Sequence, residues 1–372
     1  MKHGKYRVLF IYKLLSLTLT GALLLSVGVP LLGSAAPLSP IEVDTVTPTL
    51  GPTTGGETVT IKGSGFIQIL DGLVFEGVHS GANIQYFDTG ITQTGNTKVW
   101  IDYQFAAPVT TGTLFSARSA GNSAFFVYNP ANAGAGYYSF GYGQTNTSLT
   151  ALGPIDILRH EITVDNANFY LDGTLRYTSV GTAPTAPVNI WIGNLNQDGT
   201  MVDSVNGLNA FRGTIYGFKI WKSGVLVRDM VPAARTFGSN LEYGFYDQVS
   251  AAFFSNNGNG SFGTVPAVSP QMVTFGGIPA TNVTVLDDET ITCTTPAGAL
   301  GRADVAVTID GDTATLSESY RYSEITSVFR DYGRDIGGET VTLTFLTDAV
   351  PMLVISARMT NSTPLLPTSS GI

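Results

Sequence analysis

From Glu57 to Gly63 the chain alternates, with Val59 and Ile61 on one face and Thr58, Thr60 and Lys62 on the other. A period of two marks a half-buried β-strand, here entered from the Gly55-Gly56 turn. The same period returns in "VNIWIGN", where Val188, Ile190 and Ile192 share one face and Asn189, Trp191 and Gly193 the other. In "TIYGFKIW" it places Tyr216, Phe218 and Ile220 on one side. "NFYLDGTL" is two short runs joined by Asp-Gly, the dipeptide best suited to a two-residue hairpin. Beyond the N-terminus no stretch keeps a 3.6-residue apolar period. β-Branched and aromatic runs are separated by Gly, Asn, Asp, Thr and Pro, which predicts an all-β chain with many turns.

Length and charge narrow this picture. A chain of 372 residues allows two or three domains. Its start is set apart: "MKHGKYRVLFIYK" carries four basic residues and is followed by the apolar run "LLSLTLTGALLLSVGVPLLGSAA". This reads as a secretory signal over residues 1–36, with a retained N-terminal anchor as the alternative. Either way the rest of the chain is expected to be secreted, extracellular or at the cell surface, touching a membrane only through an uncleaved N-terminal segment. Without residues 1–36 the chain holds 15 basic residues against 28 acidic ones, a net charge near −13. Such a balance argues against nucleic acid, whose binding requires a basic stripe. The one cysteine, Cys293, allows no intramolecular disulfide and is expected to be a buried apolar residue.

The stretch "VTPTLGPTTGGETVTIKGSGF" (Val46 to Phe66) is the opening of a small β-domain whose continuation comes only at Val273. There "VTFGGIPA", "ITCTTP", "ADVAVTIDG" and "SYRY" follow in order. These landmarks resemble those of an IPT/TIG domain, which implies an immunoglobulin-like β-sandwich built from residues 41–66 and 267–323. A second opening recurs at Glu324, where Gly333, Gly337-Gly338, Val341 and Leu343 repeat the spacing of Gly51, Gly55-Gly56, Val59 and Ile61. It covers residues 324–344 and then stops. Residues 345–372 read as an irregular tail, the product of a truncated gene or a frameshift near Thr344, or else a genuine short tail.

Residues 67–266 have their own signature: "QYFDTGI", "RHEITVDNANFYLDG", "GTIYGFKIW" and "VRDMVPAARTFGSNLEYGFYDQVSAAFFSNNGNGSF". They resemble a laminin-G-like, concanavalin-A-like domain of the kind found in bacterial and phage surface proteins. The resemblance implies a jelly roll of two antiparallel sheets inserted in a loop of the outer sandwich, just after its first strand. Insertion is tolerable if the insert's ends lie close together at the surface.

Jelly-roll relatives include glycoside hydrolases, so paired carboxylates are the feature to seek. On a strand they would read E-x-D-x-E, three acids on one face. The nearest text, "PIDIL", retains Asp156 but has Pro154 and Leu158 at the outer positions. His160 has no G-x-S-x-G partner and is read as structural. Zinc does not suit one cysteine and separated histidines. Calcium is the only metal for which ligands are proposed, Asp198 and Asp203 in "NLNQDGTMVDS", although Asp and Asn in such turns need no metal. "NTS", "NVT" and "NST" at Asn146, Asn282 and Asn361 match glycosylation acceptors at a frequency expected by chance. Trp191 with Asn189, and Trp100, are the candidate ligand contacts, because aromatic faces stack on sugar rings while amides bond the hydroxyls. The leading expectation is a non-catalytic binding or adhesion protein for a glycan or an extracellular protein. A ligand-free structural scaffold is the second, and a glycan-active hydrolase the third.

Overall fold

The computed structural model describes residues 40–77, 84–107, 112–119, 124–129, 137–143, 145–148, 155–184, 188–201, 210–265, 268–323, 325–329, 340–345 and 355–358. Among them there are strands and turns and no helix. The expected signal or anchor, residues 1–36, lies outside the described residues, as do Asp203, His79 and Asn361.

The alternation in Thr58–Ser64 is realised: Val59 and Ile61 are fully buried while Thr58 and Lys62 are exposed. This strand lies between Glu42–Thr47 and Thr290–Thr294, with Thr281–Asp287 beyond, in a four-stranded antiparallel sheet. A second sheet runs in the order Leu50–Pro52, Asp312–Ser323, Gly301–Ile309, Met272–Phe275, Ile278–Pro279. Val59, Ile61, Val285, Ile291 and Cys293 meet Phe275, Val305, Val307 and Tyr320 in one core. Burial pushes the Cys293 thiol up to about 12, which leaves it protonated and apolar in character. Residues far apart in sequence thus complete one sandwich. Lys62 Nζ donates to Thr290 Oγ1, 228 residues away, at 2.6 Å.

The insert forms two larger sheets. One runs Thr145–Ser148, Ser139–Gly143, Ala124–Asn129, Gly112–Arg118, Asn189–Ile192, Phe87–Thr92. The other runs Thr174–Thr178, Asn168–Leu171, Arg159–Asp165, Thr97–Phe105, Arg212–Lys222, Val225–Phe237, Asn240–Asp247, Ala252–Ser255. Between them lies an aromatic-rich core. Phe75 sits edge-on to Phe87, Phe211 and Phe262 at 6.0, 5.6 and 4.9 Å, within the range favoured by ring quadrupoles. The Asp172-Gly173 hairpin forms as its residues predict, with both at positive φ and Leu171 opposite Thr174.

Two features close the insert on itself. Gly72–Glu76, near its start, pairs antiparallel with Gly263–Val265, near its end, so Gly72 faces Val265. The "NNGNG" run supplies side chains where a neighbouring strand would supply carbonyls. Asn256, Asn257 and Asn259 accept hydrogen bonds from the backbone N–H groups of Tyr86, Asp88 and Ile84. Chain polar groups at that margin are satisfied in this way without a further strand.

One register differs from the alternation expected in "TIYGFKIW". A bulge between Ile215 and Gly217 adds a residue, so Ile215, Phe218 and Ile220 enter the core and Tyr216 turns outward.

The two sandwiches share buried groups where the insert leaves and returns. Phe66 and Ile67 pack in the outer core together with Ala233 and Tyr246 of the insert. The Phe66 and Ile67 N–H groups donate to the backbone carbonyl and the carboxylate of Asp288. Gln271, 2% exposed, exchanges bonds with Thr236 Oγ1 and donates to Ala234 O at 3.3 Å. Arg235 donates to Glu242 and to the carbonyls of Val285 and Leu286, its guanidinium 4.3 Å from the Phe253 ring centroid.

Beyond the first sandwich, Ile325–Phe329, Thr340–Phe345 and Ile355–Arg358 form a three-stranded antiparallel sheet. The last of these strands falls in the stretch expected to be irregular.

Gly51 and Gly55 have steric reasons, and Gly51 supplies a test. A Cβ there would fall 1.9 Å from the Tyr320 hydroxyl. Gly51→Ala is expected to cost about 1–3 kcal/mol by overpacking. The check is calorimetry on Gly51→Ala alone and in a Tyr320→Phe background, where the same substitution should cost less.

Candidate functional site

In the strand Thr97–Phe105, Val99, Ile101, Tyr103 and Phe105 point into the core. Lys98, Trp100, Asp102 and Gln104 therefore line the outer face of the larger sheet. The neighbouring strand Arg212–Lys222 contributes Tyr216, Lys219 and Trp221 to that face. Across the pair, Trp100 stands opposite Lys219 and Lys98 opposite Trp221. Each pairing brings a cation over a ring, Lys219 Nζ 5.6 Å from the Trp100 centroid and Lys98 Nζ 4.9 Å from that of Trp221. A third forms where the Arg159 guanidinium lies 3.8 Å from the Tyr216 centroid. Gly217 makes room for the first, since a Cβ there would meet the Trp100 ring at 3.1 Å.

Polar partners fix these rings. Trp100 Nε1 donates to Glu161 Oε2 at 3.0 Å, and Tyr216 donates to Gln104 Oε1 at 2.7 Å. Arg159 donates twice to Asp102, at 2.8 and 2.6 Å, a fork matched to a carboxylate. The Asp102 hydrogen bond raises the Arg159 pKa, against an opposing effect of burial. Lys219 bridges to Asp229 at 3.0 Å. Among the described residues Lys98 alone of these three cations has no carboxylate within ion-pair distance.

At the Lys98–Trp221 end the face opens into a groove of about 570 Å³, lined by Asn96, Lys98, Asp165, Asn166, Trp221 and Ser223. Three turns build it. Asn166 and Ser223 sit at positive φ, and the Ser223 N–H donates to Asn96 O at 2.9 Å. Lys222 Nζ donates to Thr92 O, Thr94 Oγ1 and Thr97 Oγ1, which holds the turn bearing Asn96. Burial lowers the Lys222 pKa. Trp221 was missed as a candidate in the sequence, although it lies opposite Ile220 just as Trp100 lies opposite Ile101.

The sequence candidates are split between two faces. Trp100 belongs to the face just described. Trp191 and Asn189 lie on the other sheet, on the strand between Phe87–Thr92 and Gly112–Arg118. Trp191 is only 6% exposed, with Tyr86 packed on it at 4.4 Å and an interplanar angle of 31°. Asn189 donates to Asp88 Oδ2 at 3.3 Å and its Oδ1 accepts from Thr92 Oγ1. Asp198 is exposed in a two-residue turn with Gly199, both at positive φ. No group of three or more His, Cys, Asp or Glu side chains able to hold a metal occurs among the described residues.

The buried carboxylates have structural partners. Asp247 is fully buried, accepts from Ser250 Oγ and the Asp229 N–H, and lies 3.5 Å from Arg228 Nη1. Asp102 is held by Arg159 as described. His160 takes part in a second cluster, with Nδ1 2.7 Å from Asp172 Oδ2 and Nε2 2.9 Å from Asp156 Oδ1. It joins the loop before its own strand to the Asp172-Gly173 hairpin turn, beside the hydrogen-bonded Tyr103 and Tyr138 hydroxyls.

A double β-sandwich with an aromatic solvent face defines a modular β-protein. Its outer module is an IPT/TIG domain, whose family model matches residues 40–127 and 267–323. The strands between Phe87 and Asn129 nonetheless pair within the insert. None of the curated proteins matches the chain. Among solved structures, similarity extends to mouse laminin α1 chain domains LG4-5, at 13% identity over 67% of this chain and 78% of that one, TM-score 0.30. It extends also to the native heptameric SAP-like pentraxin from Limulus polyphemus, at 12% identity over 40% and 75%, TM-score 0.31. The Ruminococcus gnavus IT-sialidase CBM40 is similar at 16% identity over 39% and 89%, TM-score 0.27.

The His160 cluster has a pH signature. Burial pulls the His160 pKa down, but the hydrogen bonds and charges of Asp156 and Asp172 outweigh it, and the net shift from 6.5 is upward. Burial raises Asp156, and the Leu158 N–H with His160 outweighs it, for a net lowering from 3.8. His160 therefore stabilises the fold fully below pH 6.5 and loses that contribution as pH rises through its folded value. The Asp156 contribution is present above 3.8 and is lost as pH falls through its folded value. In denaturant titrations the stability difference between wild type and His160→Gln should be greatest between those limits. A difference that does not vary with pH would rule out the charged cluster.

Proposed function

We propose that the chain is a secreted or cell-surface, non-catalytic binding protein that holds a glycan on the outer face of its jelly roll. The IPT/TIG sandwich serves as the mount. The observation that carries this reading is the row of half-buried rings, Trp100, Tyr216 and Trp221, set among amides and carboxylates on a solvent face. Rings packed in a core are explained by burial alone. Rings kept at a polar surface offer an apolar plane to the C–H face of a sugar, with hydrogen-bonding groups around it. Trp100 takes precedence over Trp191, because a ligand on Trp191 would have to displace Tyr86.

A scaffold without ligand is the second reading, and the same row favours it in one respect. Each ring already has a cation partner, and cross-strand pairs of this kind stabilise a sheet without any ligand. A hydrolase is the weaker reading, since Asp102 and Asp247 are committed to Arg159 and to Ser250 with Arg228.

The full chain, applied to a glycan array with and without Ca²⁺, is expected to bind saturably. Calcium dependence would bring Asp198 and Asp203 back into consideration. Trp100→Ala should weaken binding about fivefold, from the loss of roughly 1 kcal/mol of stacking. Trp191→Ala should instead destabilise the fold by about 3 kcal/mol or more, read as a lower Tm. A folded chain that binds no glycan overturns the glycan reading and leaves adhesion to a protein or scaffolding.

A further inference from the structure

We propose that the groove at Trp221 is the specificity pocket and takes one uncharged hexopyranose, with Asp165 excluding sugars that carry a carboxylate. The inference rests on the reading of the jelly roll as a glycan binder and adds the place and class of the sugar. At about 570 Å³ the groove has the size of a small-ligand site. Apart from Trp221 its lining is polar and balanced: two amides, a hydroxyl, an ammonium and a carboxylate. Sugar hydroxyls both donate and accept, and this lining offers both.

Its charge is balanced as well. Lys98 and Asp165 stand opposite each other in the register of their strands, yet no ion pair joins them. Lys98 can thus donate to one hydroxyl and Asp165 accept from another. A hexuronic or sialic acid seated in the groove would bring its carboxylate into a space that Asp165 also lines, and like charges at close range disfavour it. The ammonium now near Trp221 sits on a flexible stem with three rotatable donors, so it can turn to a ligand hydroxyl without leaving the rim.

The groove is built before any ligand arrives. Lys222 fixes the turn bearing Asn96 through three oxygens, and the Ser223 N–H ties the opposite turn to Asn96 O. A site with rigid walls loses less entropy on binding than one that must be ordered.

The test is competition for array-bound full chain by methyl glucoside, galactoside and mannoside, against glucuronic, galacturonic and N-acetylneuraminic acids. At least one neutral pyranoside should compete, and the acids should not. Trp221→Ala and the near-isosteric Asp165→Asn should each weaken neutral-sugar binding about tenfold, Asp165→Asn at unchanged Tm and Trp221→Ala in a chain that remains folded at the assay temperature, as expected for one lost charged hydrogen bond or stacking plane. Asp165→Asn should also admit the acids. Better competition by the acids against wild type would overturn the proposal. So would glycan binding indifferent to both substitutions, which leaves the wider reading standing with its site elsewhere. Absence of any glycan binding by the folded chain would remove the wider reading and this one together.

Discussion

The pairing of Gly72–Glu76 with Gly263–Val265 is the constraint on which the architecture depends. A domain of some two hundred residues can interrupt a sandwich only if its ends return to one place, and here they are hydrogen-bonded neighbours. Both connections then leave from one margin of the insert. The buried polar contacts at Gln271 and Asp288 exist because the two chain segments arrive there side by side. Phe262 carries this closure into the core, where it stacks on Phe87 at 5.1 Å with the planes 19° apart.

Much of this was legible in the sequence. The alternation around Val59 and Ile61 gave a strand with the right face buried, and Asp172-Gly173 gave a hairpin. The split landmarks on either side of the insert correspond to strands that pair directly, Ile61 opposite Ile291. Cys293 is buried, as an isolated cysteine between threonines on a strand suggested. These features depend on local period and turn chemistry, which neighbouring residues determine.

What stayed hidden depends on distant parts of the chain. Alternation placed Tyr216 on the same side as Phe218 and Ile220, but one extra residue at the bulge reverses every position on one side of it. Trp191 lies opposite Ile190 and Ile192 as read, yet its exposure is decided by Tyr86, a hundred residues earlier. Trp221 could have been found by the logic applied to Trp100, because each faces away from a buried isoleucine. The groove beside it is formed only by the three turns that meet there. The committed state of Asp102 and Asp247 was equally invisible, since their partners lie on other strands or beyond a turn.

The closed insert also has a mechanical meaning. Tension along the chain from residue 40 to residue 323 is borne first by the hydrogen-bonded strands of the outer sandwich. The jelly roll is a side branch joined to it by two adjacent chain connections and by the contacts of Arg235 and Thr236, and little force runs through it while the outer strands hold. Trp100, Trp221 and the groove beside them would keep their geometry under a pull that strains the mount.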